Sequence, residues 1–457
     1  MVRPDRKFRG EAASMAINVT KRTSTAVSFA AGLSLVLAAC SGGGNGNDAG
    51  DGDVSDGTAG GGSVSVLVVW GGEELKSFEA MVAPFEEATG TDVKIESTRD
   101  VNAVLTTRLA GGNPPDVAGL PGPGPMAEFA RLGDLKPLPQ GVLDVLEAEY
   151  NEGVIADSTV DDELVGIFIK MSVKGLIWYN PAAFEAAGYE VPEDWDGLNS
   201  LVDEAAAAGT TPWGISLESG AASGWPATDW IEDFVIRQSG PEVYDAWVNG
   251  EQAWSSDEIR SAWESFGKWA TDPAYVSGGP NTVLTLPFGN GGDCLFSEPA
   301  GCLLHHQASF ITSFFEENSP GVAEAGTTYD FFPMPAIDFD GVVYGGDLFG
   351  MFNDTPQAQA LMEYLVTAEA QQIWVERGGA LSANQEVALD LYPDDTSRRS
   401  AEFLVGSDVV RFDGSDKMPA EMSEAFMGAV LEYVQNPGNL DSILENLDGV
   451  QESAYGD

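Results

Sequence analysis

Acidic, basic and indole side chains stand beside glycine, proline and serine at several places in this sequence, where loops can bring them together. Carboxylates and guanidinium groups make charge-assisted hydrogen bonds to hydroxyl groups, and indole rings cover apolar C–H faces. Such groups favour a site for a small polyhydroxylated ligand. The residues that we predict to line this site are Glu73, Arg99, Asp100, Asp116, Trp225, Asp229, Trp230 and Asp347.

Asp347 is the carboxylate with the best case for ligand binding. Gly345 and Gly346 precede it and permit a close approach of the ligand, and a charged residue inside an apolar strand needs a partner. Trp225 and Trp230 flank Asp229 in the segment GWPATDW, a spacing that could place two rings and a carboxylate in one cleft. The alternative is that these tryptophans belong to a core.

The remaining candidates also have structural explanations. Glu73 opens a helix, where a carboxylate is favourable without any ligand. Arg99 and Asp100 could clamp neighbouring hydroxyl groups, or form a surface ion pair and a helix cap. Asp116 follows Asn113-Pro114-Pro115, which fixes a loop at the edge of the predicted sheet.

Catalytic and metal-binding patterns are missing from the sequence. It contains no GxSxG nucleophile elbow, no P-loop and no HExxH motif. Its only histidines, His305 and His306, are adjacent in a predicted strand, which offers too few ligands for zinc. We therefore expect no catalytic residue, no metal and no cofactor.

The first third of the chain predicts a parallel sheet. Apolar runs at 63–70, 92–97 and 116–120 have the composition of strands, and two amphipathic helices that end at glycines separate them. A β-α-β-α-β order requires parallel strands with right-handed crossovers, and ligands collect where loops leave the carboxyl ends of such strands. Trp70 and several of the candidates fall at these ends.

Two later segments are long enough to pass between lobes. The run Gly166–Tyr179 is longer than one strand usually needs, and Tyr329–Pro335 is a second extended segment that could cross back. Val342–Phe352 predicts a strand and Gln357–Glu376 a helix. The C-terminal part, Ala401–Asp448, is mostly helical in pattern.

The N-terminus has the pattern of an exported lipoprotein. Basic residues precede an apolar stretch that is too short to span a bilayer, so we predict a signal peptide over residues 1–39. Leu37-Ala38-Ala39-Cys40 matches the bacterial lipobox, which resembles the site where Cys40 is lipidated. Met15 could be the true start. Residues 40–63 are rich in Gly, Ser and Asp and predict a flexible linker.

Cys294 and Cys302 lie close together across a loop of an exported chain, which predicts a disulfide; the alternative is two reduced core cysteines. The formal charge of the 457 residues is -50, with 22 basic and 72 acidic side chains. Phosphate contacts need Lys or Arg, so this charge argues against a nucleic acid or an anionic membrane surface as partner. A neutral or cationic ligand fits better.

Six segments in order resemble the extracellular solute-binding proteins (family 1) of carbohydrate ABC importers, most of all their α-glucoside-binding branch. The similarity spans residues 64–457. One departure is His306, where the family pattern leads us to expect Arg. The segments are Trp70-Gly71-Gly72-Glu73, Thr98-Arg99-Asp100, Ala110–Asp116, Lys174–Asn180, Cys302–Phe310 and Gly345-Gly346-Asp347.

The resemblance implies an α/β, two-lobed, periplasmic-binding-protein-like (type II) fold with a hinge between the lobes. We expect residues 64–171 plus 334–384 to form the N-terminal lobe, and 172–333 plus 385–457 the C-terminal lobe. The implied protein is a monomer, lipid-anchored on the extracytoplasmic face of the cell membrane, that binds a sugar or oligosaccharide and presents it to ABC permease subunits without transforming it. Two alternatives are a same-fold binder of a polyamine or other cation, and a secreted glycoside hydrolase, since paired carboxylates and aromatics also describe hydrolase sites.

Overall fold

The computed structural model describes residues 61–456, so the predicted signal peptide, Cys40 and most of the predicted linker lie outside the described residues. The strands of this part are β1 (Ser63–Val68), β2 (Asp92–Ser97), β3 (Val117–Leu120), β4 (Thr159–Val160), β5 (Glu163–Leu164), β6 (Ile167–Val173), β7 (Leu176–Tyr179), β8 (Trp213–Gly214), β9 (Leu304–His306), β10 (Asp330–Pro333), β11 (Val342–Met351) and β12 (Val410–Phe412).

Helices surround these strands, and several begin at a Ser, Thr, Asp or Asn cap. Asn180, Asp194, Ser256, Thr355, Thr367 and Asp394 each accept a hydrogen bond from a backbone N–H in the first turn. The helices are α1 (Gly72–Thr89), α2 (Val101–Ala110), α3 (Pro123–Leu132), α4 (Gln140–Glu149), α5 (Glu152–Asp157), α6 (Pro181–Ala187), α7 (Trp195–Ala207), α8 (Trp225–Ser239), α9 (Pro241–Val248), α10 (Asp257–Ala270), α11 (Pro280–Thr285), α12 (Thr312–Asn318), α13 (Pro356–Leu365), α14 (Ala368–Arg377), α15 (Asp395–Gly406), α16 (Gly414–Lys417), α17 (Ala420–Gln435) and α18 (Leu440–Ala454).

The larger sheet has the order β12-β11-β3-β1-β2, with β6 also paired to β11. Strand β1 pairs in parallel with both β2 and β3, which confirms the predicted β-α-β-α-β unit. Strand β11 runs antiparallel to β3 and β6. The carboxyl ends of β1, β2 and β3 therefore share one edge of the sheet.

The smaller sheet, β10-β7-β9-β8, lies in a second part of the molecule. The apolar run 166–179 supplies β6 to the first sheet and β7 to the second, so it crosses between them, as predicted. Gly175 breaks the run with φ of 70°, a conformation that favours glycine. The backbone N–H of Met334, just after β10, donates to the Gly175 carbonyl at 2.7 Å, so two crossing segments lie side by side.

The larger sheet packs mainly in one of two hydrophobic cores, and the smaller sheet has side chains in both, such as Trp178 in the first and Ile177 in the second. The first packs α1, α13 and α14 on the larger sheet, and the second packs α8, α10, α17 and α18 beside the smaller one. A third crossing follows β12, where residues 413–419 lead from the first sheet to α17. Phe412 packs in the first core although it falls within the range 385–457 assigned to the C-terminal lobe; the exact lobe boundaries stay a prediction.

Two further predictions have definite outcomes. The segment 357–376 forms α13 and α14 rather than one helix, because Thr367 caps a new helix. The Sγ atoms of Cys294 and Cys302 are at bonding distance, 2.03 Å. Among the described residues, no helix combines the length and the apolar character that a membrane crossing requires.

Candidate functional site

A cavity of about 680 Å³ lies between the two cores. Its walls come from the start of α2, the inner part of β6, the start of α8, the middle of β11, helix α16 and the start of α17. The cavity therefore meets the edge where β1 and β2 end, and the first and third crossing segments contribute Lys174, Asp413, Ser415 and Asp416 to its lining. This size is typical of small-molecule sites.

Lys170 is at the centre of the first-core wall. Its Nζ lies 2.6 Å from Glu74 Oε1 and 3.7 Å from Asp347 Oδ2, and Trp70 Nε1 donates to the same Asp347 oxygen at 3.1 Å. Burial lowers the pKa of Lys170, but Glu74 and Asp347 outweigh it and raise the pKa overall. Burial raises the pKa of Asp347 against the opposing effect of Lys170. This wall thus offers fixed donors and acceptors that are 5–8% exposed.

Lys174, four residues further along the chain, also lines the cavity and pairs with carboxylates, one of them on α8 of the second core. Its Nζ is 2.8 Å from Asp229 Oδ1 and also contacts Asp413 Oδ2. Burial lowers the pKa of Lys174, but the surrounding carboxylates, Asp229 first among them, raise it overall. The second oxygen of Asp229 is buried and has no hydrogen-bond partner among the described residues. It is an acceptor that a ligand hydroxyl could satisfy.

Several carboxyl groups surround the single ammonium group of Lys174. Asp416 lines the cavity, and burial raises its pKa to about 8 against the opposing effect of Lys174. Glu232 lies behind the wall and accepts from the backbone N–H groups of Gly414 and Ser415 at 2.6 and 3.0 Å. Burial raises its pKa to about 7. Asp229, Glu232 and Asp413 are close enough together to hold a metal ion, but the Lys174 ammonium already pairs with two of them.

Aromatic rings complete the cavity. Trp225, at the first position of α8, is partly exposed and packs on Phe288 and Phe310 with ring centroids 5.1 and 5.9 Å apart. The Arg99 guanidinium lies 5.0 Å from the Phe288 ring centroid. The cavity thus combines apolar faces with charged groups, as the sequence predicted for a polyhydroxylated ligand.

The cavity includes Arg99, Asp100, Trp225, Asp229 and Asp347 from the predicted set. What these residues bind stays a prediction.

Glu73, Asp116 and Trp230 lie outside the cavity walls, which corrects their predicted placement. Glu73 is on the first turn of α1 and pairs with Lys76 at 2.5 Å, so its neighbour Glu74 faces the cavity instead. Asp116 accepts from the backbone N–H and the hydroxyl of Ser65, both at 2.8 Å, and joins β1 to β3.

Trp230 belongs to the second core, the alternative that the sequence left open. Its ring stacks on His306 at 4.1 Å and meets Trp213 edge-on at 4.9 Å. His306 Nε2 contacts Asp233 Oδ2 at 2.6 Å, and His305 Nδ1 contacts the Gly214 carbonyl at 2.9 Å. Burial lowers the pKa of His305 to about 4. Neither histidine lines the cavity.

Sequence reasoning missed both lysines and the carboxylates of the third crossing. Lys170 and Lys174 stand inside the apolar segment IFIKMSVKGLIWY. A lysine that must be buried requires a carboxylate partner, and this signal could have identified them. Asp413 gives no comparable local signal, because its ionic partner Lys174 lies 239 positions away in the chain. Asp416 follows Gly414-Ser415, where an acidic residue is ordinary.

Residues 80–402 match the family model described as "Bacterial extracellular solute-binding protein". The chain belongs to this family. Members bind a solute outside the cytoplasm, and the cavity between the two cores is the place where this chain can enclose one.

Curated relatives include two that cover most of the chain. The alpha-glucosides-binding periplasmic protein AglE of Rhizobium meliloti is 36% identical over 395 residues, which is 83% of this chain and 85% of the relative. The osmoprotective compounds-binding protein GgtB of Synechocystis sp. is 35% identical over 376 residues, 81% of this chain and 88% of the relative.

Solved structures show the same two-lobed fold. A chitin oligosaccharide binding protein aligns with a TM-score of 0.74 at 19% identity and covers 86% of this chain and 99% of its own. RafE in complex with raffinose aligns with a TM-score of 0.68 at 20% identity, over 86% of this chain and 100% of its own. At these identities the similarity shows the fold alone, and it confirms the predicted fold class.

Proposed function

We propose that this protein captures an α-glucoside, or a similar neutral polyol, in the cavity between its two cores and delivers it to the permease of an ABC importer. The observation that carries this proposal is the pair of lysine–carboxylate groups that line the cavity, together with partly exposed Trp225. Each group offers a donor and an acceptor within the reach of one hydroxyl, and the indole can cover an apolar sugar face. The names of the relatives AglE and GgtB support the ligand class.

A neutral ligand suits the cavity better than a polyamine. Arg99, Lys170 and Lys174 all face it, and each would repel a second cation. The carboxylates beside the lysines already pair with an ammonium, so a polycation would have to compete with Lys170 and Lys174 for them. Of the other carboxyl groups that line the cavity, Asp100, Asp416 and Glu424, Asp416 carries less negative charge at pH 7 because burial raises its pKa to about 8.

Membrane attachment and export complete the proposal. Cleavage after residue 39, lipidation of Cys40 and a flexible linker up to residue 63 would tether the two-lobed part at the extracytoplasmic face. The pairing of Cys294 with Cys302 suits an oxidising compartment. The lobes, over the ranges predicted from the sequence, would close on the ligand by bending at the crossing segments.

A thermal-shift panel on the purified protein tests the proposal. Maltose, trehalose and sucrose contain an α-glucosyl unit, cellobiose and lactose do not, and spermidine represents the cations. A ligand at 100 times its Kd should stabilise the protein by about 2.7 kcal/mol. We expect the α-glucosides to raise Tm and the others to leave it unchanged. A shift with spermidine alone would contradict the proposal, as would release of glucose from any sugar, which would indicate a hydrolase.

A further inference from the structure

Lys174 occupies a position that Lys170 does not, although both are buried lysines on the same segment. Lys170 pairs with Glu74 on α1 and Asp347 on β11, and both partners belong to elements of the first core. Lys174 follows β6 on the first crossing segment, and its partners are Asp229 on α8 of the second core and Asp413 on the third crossing segment. Only the second of these two ion clusters joins parts that must move relative to each other when the lobes close.

Backbone contacts fix Lys174 and Asp413 to the same strand. The N–H of Lys174 donates to the Val343 carbonyl at 2.8 Å, and the N–H of Asp413 donates to the Tyr344 carbonyl at 2.7 Å. The two residues therefore leave the first sheet on either side of β11, at the level where two of the three crossings begin. Their side chains meet at the cavity wall.

The other end of the cluster lies on α8. Besides Asp229, this helix presents Glu232, which accepts from the N–H groups of Gly414 and Ser415, and Thr228, whose hydroxyl lies 3.0 Å from the Ser415 hydroxyl. The start of α8 thus holds the third crossing segment through polar contacts. A shift of α8 relative to the first sheet would change the lengths of these contacts and of the ion pairs of Lys174.

The cluster has hydrogen-bonding capacity left for a solute. An ammonium has three donors, and only two protein acceptors contact Lys174 Nζ among the described residues. Asp229 Oδ2 is a buried acceptor without a partner. A single solute hydroxyl group could accept a hydrogen bond from the Lys174 ammonium and donate one to Asp229 Oδ2. Both protein groups would then have a partner for their remaining hydrogen bond.

We propose that Lys174 is a positioning residue that couples occupancy of the cavity to closure of the lobes. A solute hydroxyl that joins Lys174 to Asp229 strengthens the link between the first crossing segment and α8, so the closed arrangement becomes more stable when the solute is bound. A ligand can shift a conformational equilibrium only through contacts that differ between the two states, and this link is such a contact. The inference rests on the proposed function in requiring a hydroxylated solute.

Small-angle X-ray scattering of Lys174→Met and its matched control Lys170→Met tests the coupling. Both changes remove a buried ammonium from the cavity, and we expect both to weaken binding of the best solute from the panel by about 10- to 100-fold. At saturation, Lys170→Met should show the full decrease in radius of gyration of the wild type, and Lys174→Met should not. Lys174→Arg should restore part of the decrease. Full compaction of saturated Lys174→Met, or an equal loss in both variants, would overturn the proposal.

Asp413→Asn provides a second variant in case Lys174→Met does not fold. Asparagine can keep the helix cap of α16, where Asp413 Oδ1 accepts from the Asp416 N–H at 2.9 Å, while the ionic partner of Lys174 is lost. This variant should also compact less than the wild type at saturation. Compaction equal to the wild type would count against the proposal.

Hydrogen exchange on the protein without ligand separates this inference from the proposed function. Lys174→Met, or Asp413→Asn, should accelerate exchange of the Gly414 and Ser415 amides, which donate to Glu232 on α8. Lys170→Met should leave the exchange rates of these two amides unchanged. Unchanged exchange in the first two variants would overturn the inference. If no solute compacts even the wild type, the proposed function fails, and the exchange result still decides whether Lys174 links the crossings.

Discussion

Asp347 is held at the cavity wall by the Trp70 indole and the Lys170 ammonium, with one side toward the space where a ligand would lie. Substitution by alanine removes a charged acceptor, and hydrogen bonds to charged groups contribute about 1.5–3 kcal/mol. We expect Asp347→Ala to weaken solute binding by that amount in a calorimetric titration. Glu73→Gln, outside the cavity, is the control and should keep the wild-type Kd. Equal affinities for Asp347→Ala and the wild type would remove Asp347 from the site.

The acidic wall should make stability depend on pH. Burial raises the pKa of Asp416 to about 8 in the folded protein, above its ordinary value of 3.8, so the folded state holds a proton that the unfolded state loses between these values. Stability therefore falls as pH rises through this window. Asp416→Asn abolishes the titration, so its Tm should exceed that of the wild type by a margin that grows from pH 5 to pH 9. A margin that is constant or shrinks would contradict the assignment.

At the residue scale, the sequence singled out several side chains that line the cavity. It missed the side chains whose role depends on partners far away in the chain. Asp347, which follows Gly345-Gly346, and Trp225 and Asp229 of the segment GWPATDW line the cavity; what they bind stays a prediction. The same logic misplaced Glu73 and Trp230, because helical phase decides which side chain faces the cavity, and a shift of one residue on α1 replaces Glu73 by Glu74. Asp413 reaches Lys174 across 239 positions, which no local pattern encodes.

At the scale of elements, the crossing at Gly175 depends on a missing side chain. Its φ is 70°, and a Cβ there would lie 2.9 Å from Arg237 Nη2 and from Asp233 Oδ2. Gly188 has a similar φ of 77° with nothing within 4 Å of its Cβ position, so it isolates the cost of backbone strain. We expect Gly188→Ala to cost about 1 kcal/mol and Gly175→Ala about 2–4 kcal/mol in urea unfolding. Equal losses of unfolding free energy in the two variants would show that Arg237 and Asp233 move away from the new Cβ atom without destabilising the fold.

Elements with a strong local signal were predicted well. Apolar composition predicted β1 and β2, and an amphipathic pattern ending at a glycine predicted α1. The unusual length of the run 166–179 correctly indicated a passage between sheets. Strand β12 was missed because its three residues, Val410–Phe412, form a strand only through parallel pairing with β11. The break between α13 and α14 at Thr367 was missed because apolar residues continue across it.

At the scale of the whole molecule, the charge of -50 should make stability depend on salt. Self-repulsion destabilises a compact state, and the Debye length falls from about 30 Å at 0.01 M to about 10 Å at 0.1 M salt. We expect Tm to rise with sodium chloride, most steeply below about 0.3 M, where screening changes fastest. A gain that appears only above 1 M would indicate salting-out instead, and a falling Tm would contradict repulsion as a destabilising term.

Three crossing segments join the two cores of the described residues, and we propose that the cores close on a solute in the cavity between them. The family match shows an extracellular solute-binding protein, while the proposed ligand class depends on the few groups that line the cavity. We propose a neutral polyol because the two buried lysines of the cavity, Lys170 and Lys174, already pair with carboxylates.

Isothermal titration of the purified protein with maltose and cellobiose, which differ only in the configuration of the linkage, tests this account most directly. We predict saturable binding of the α-linked sugar with a Kd in the micromolar range or tighter, equivalent to about 8 kcal/mol or more. Cellobiose should bind at least tenfold more weakly. Absence of binding by maltose, trehalose and sucrose alike, or binding of spermidine in their place, would contradict the account.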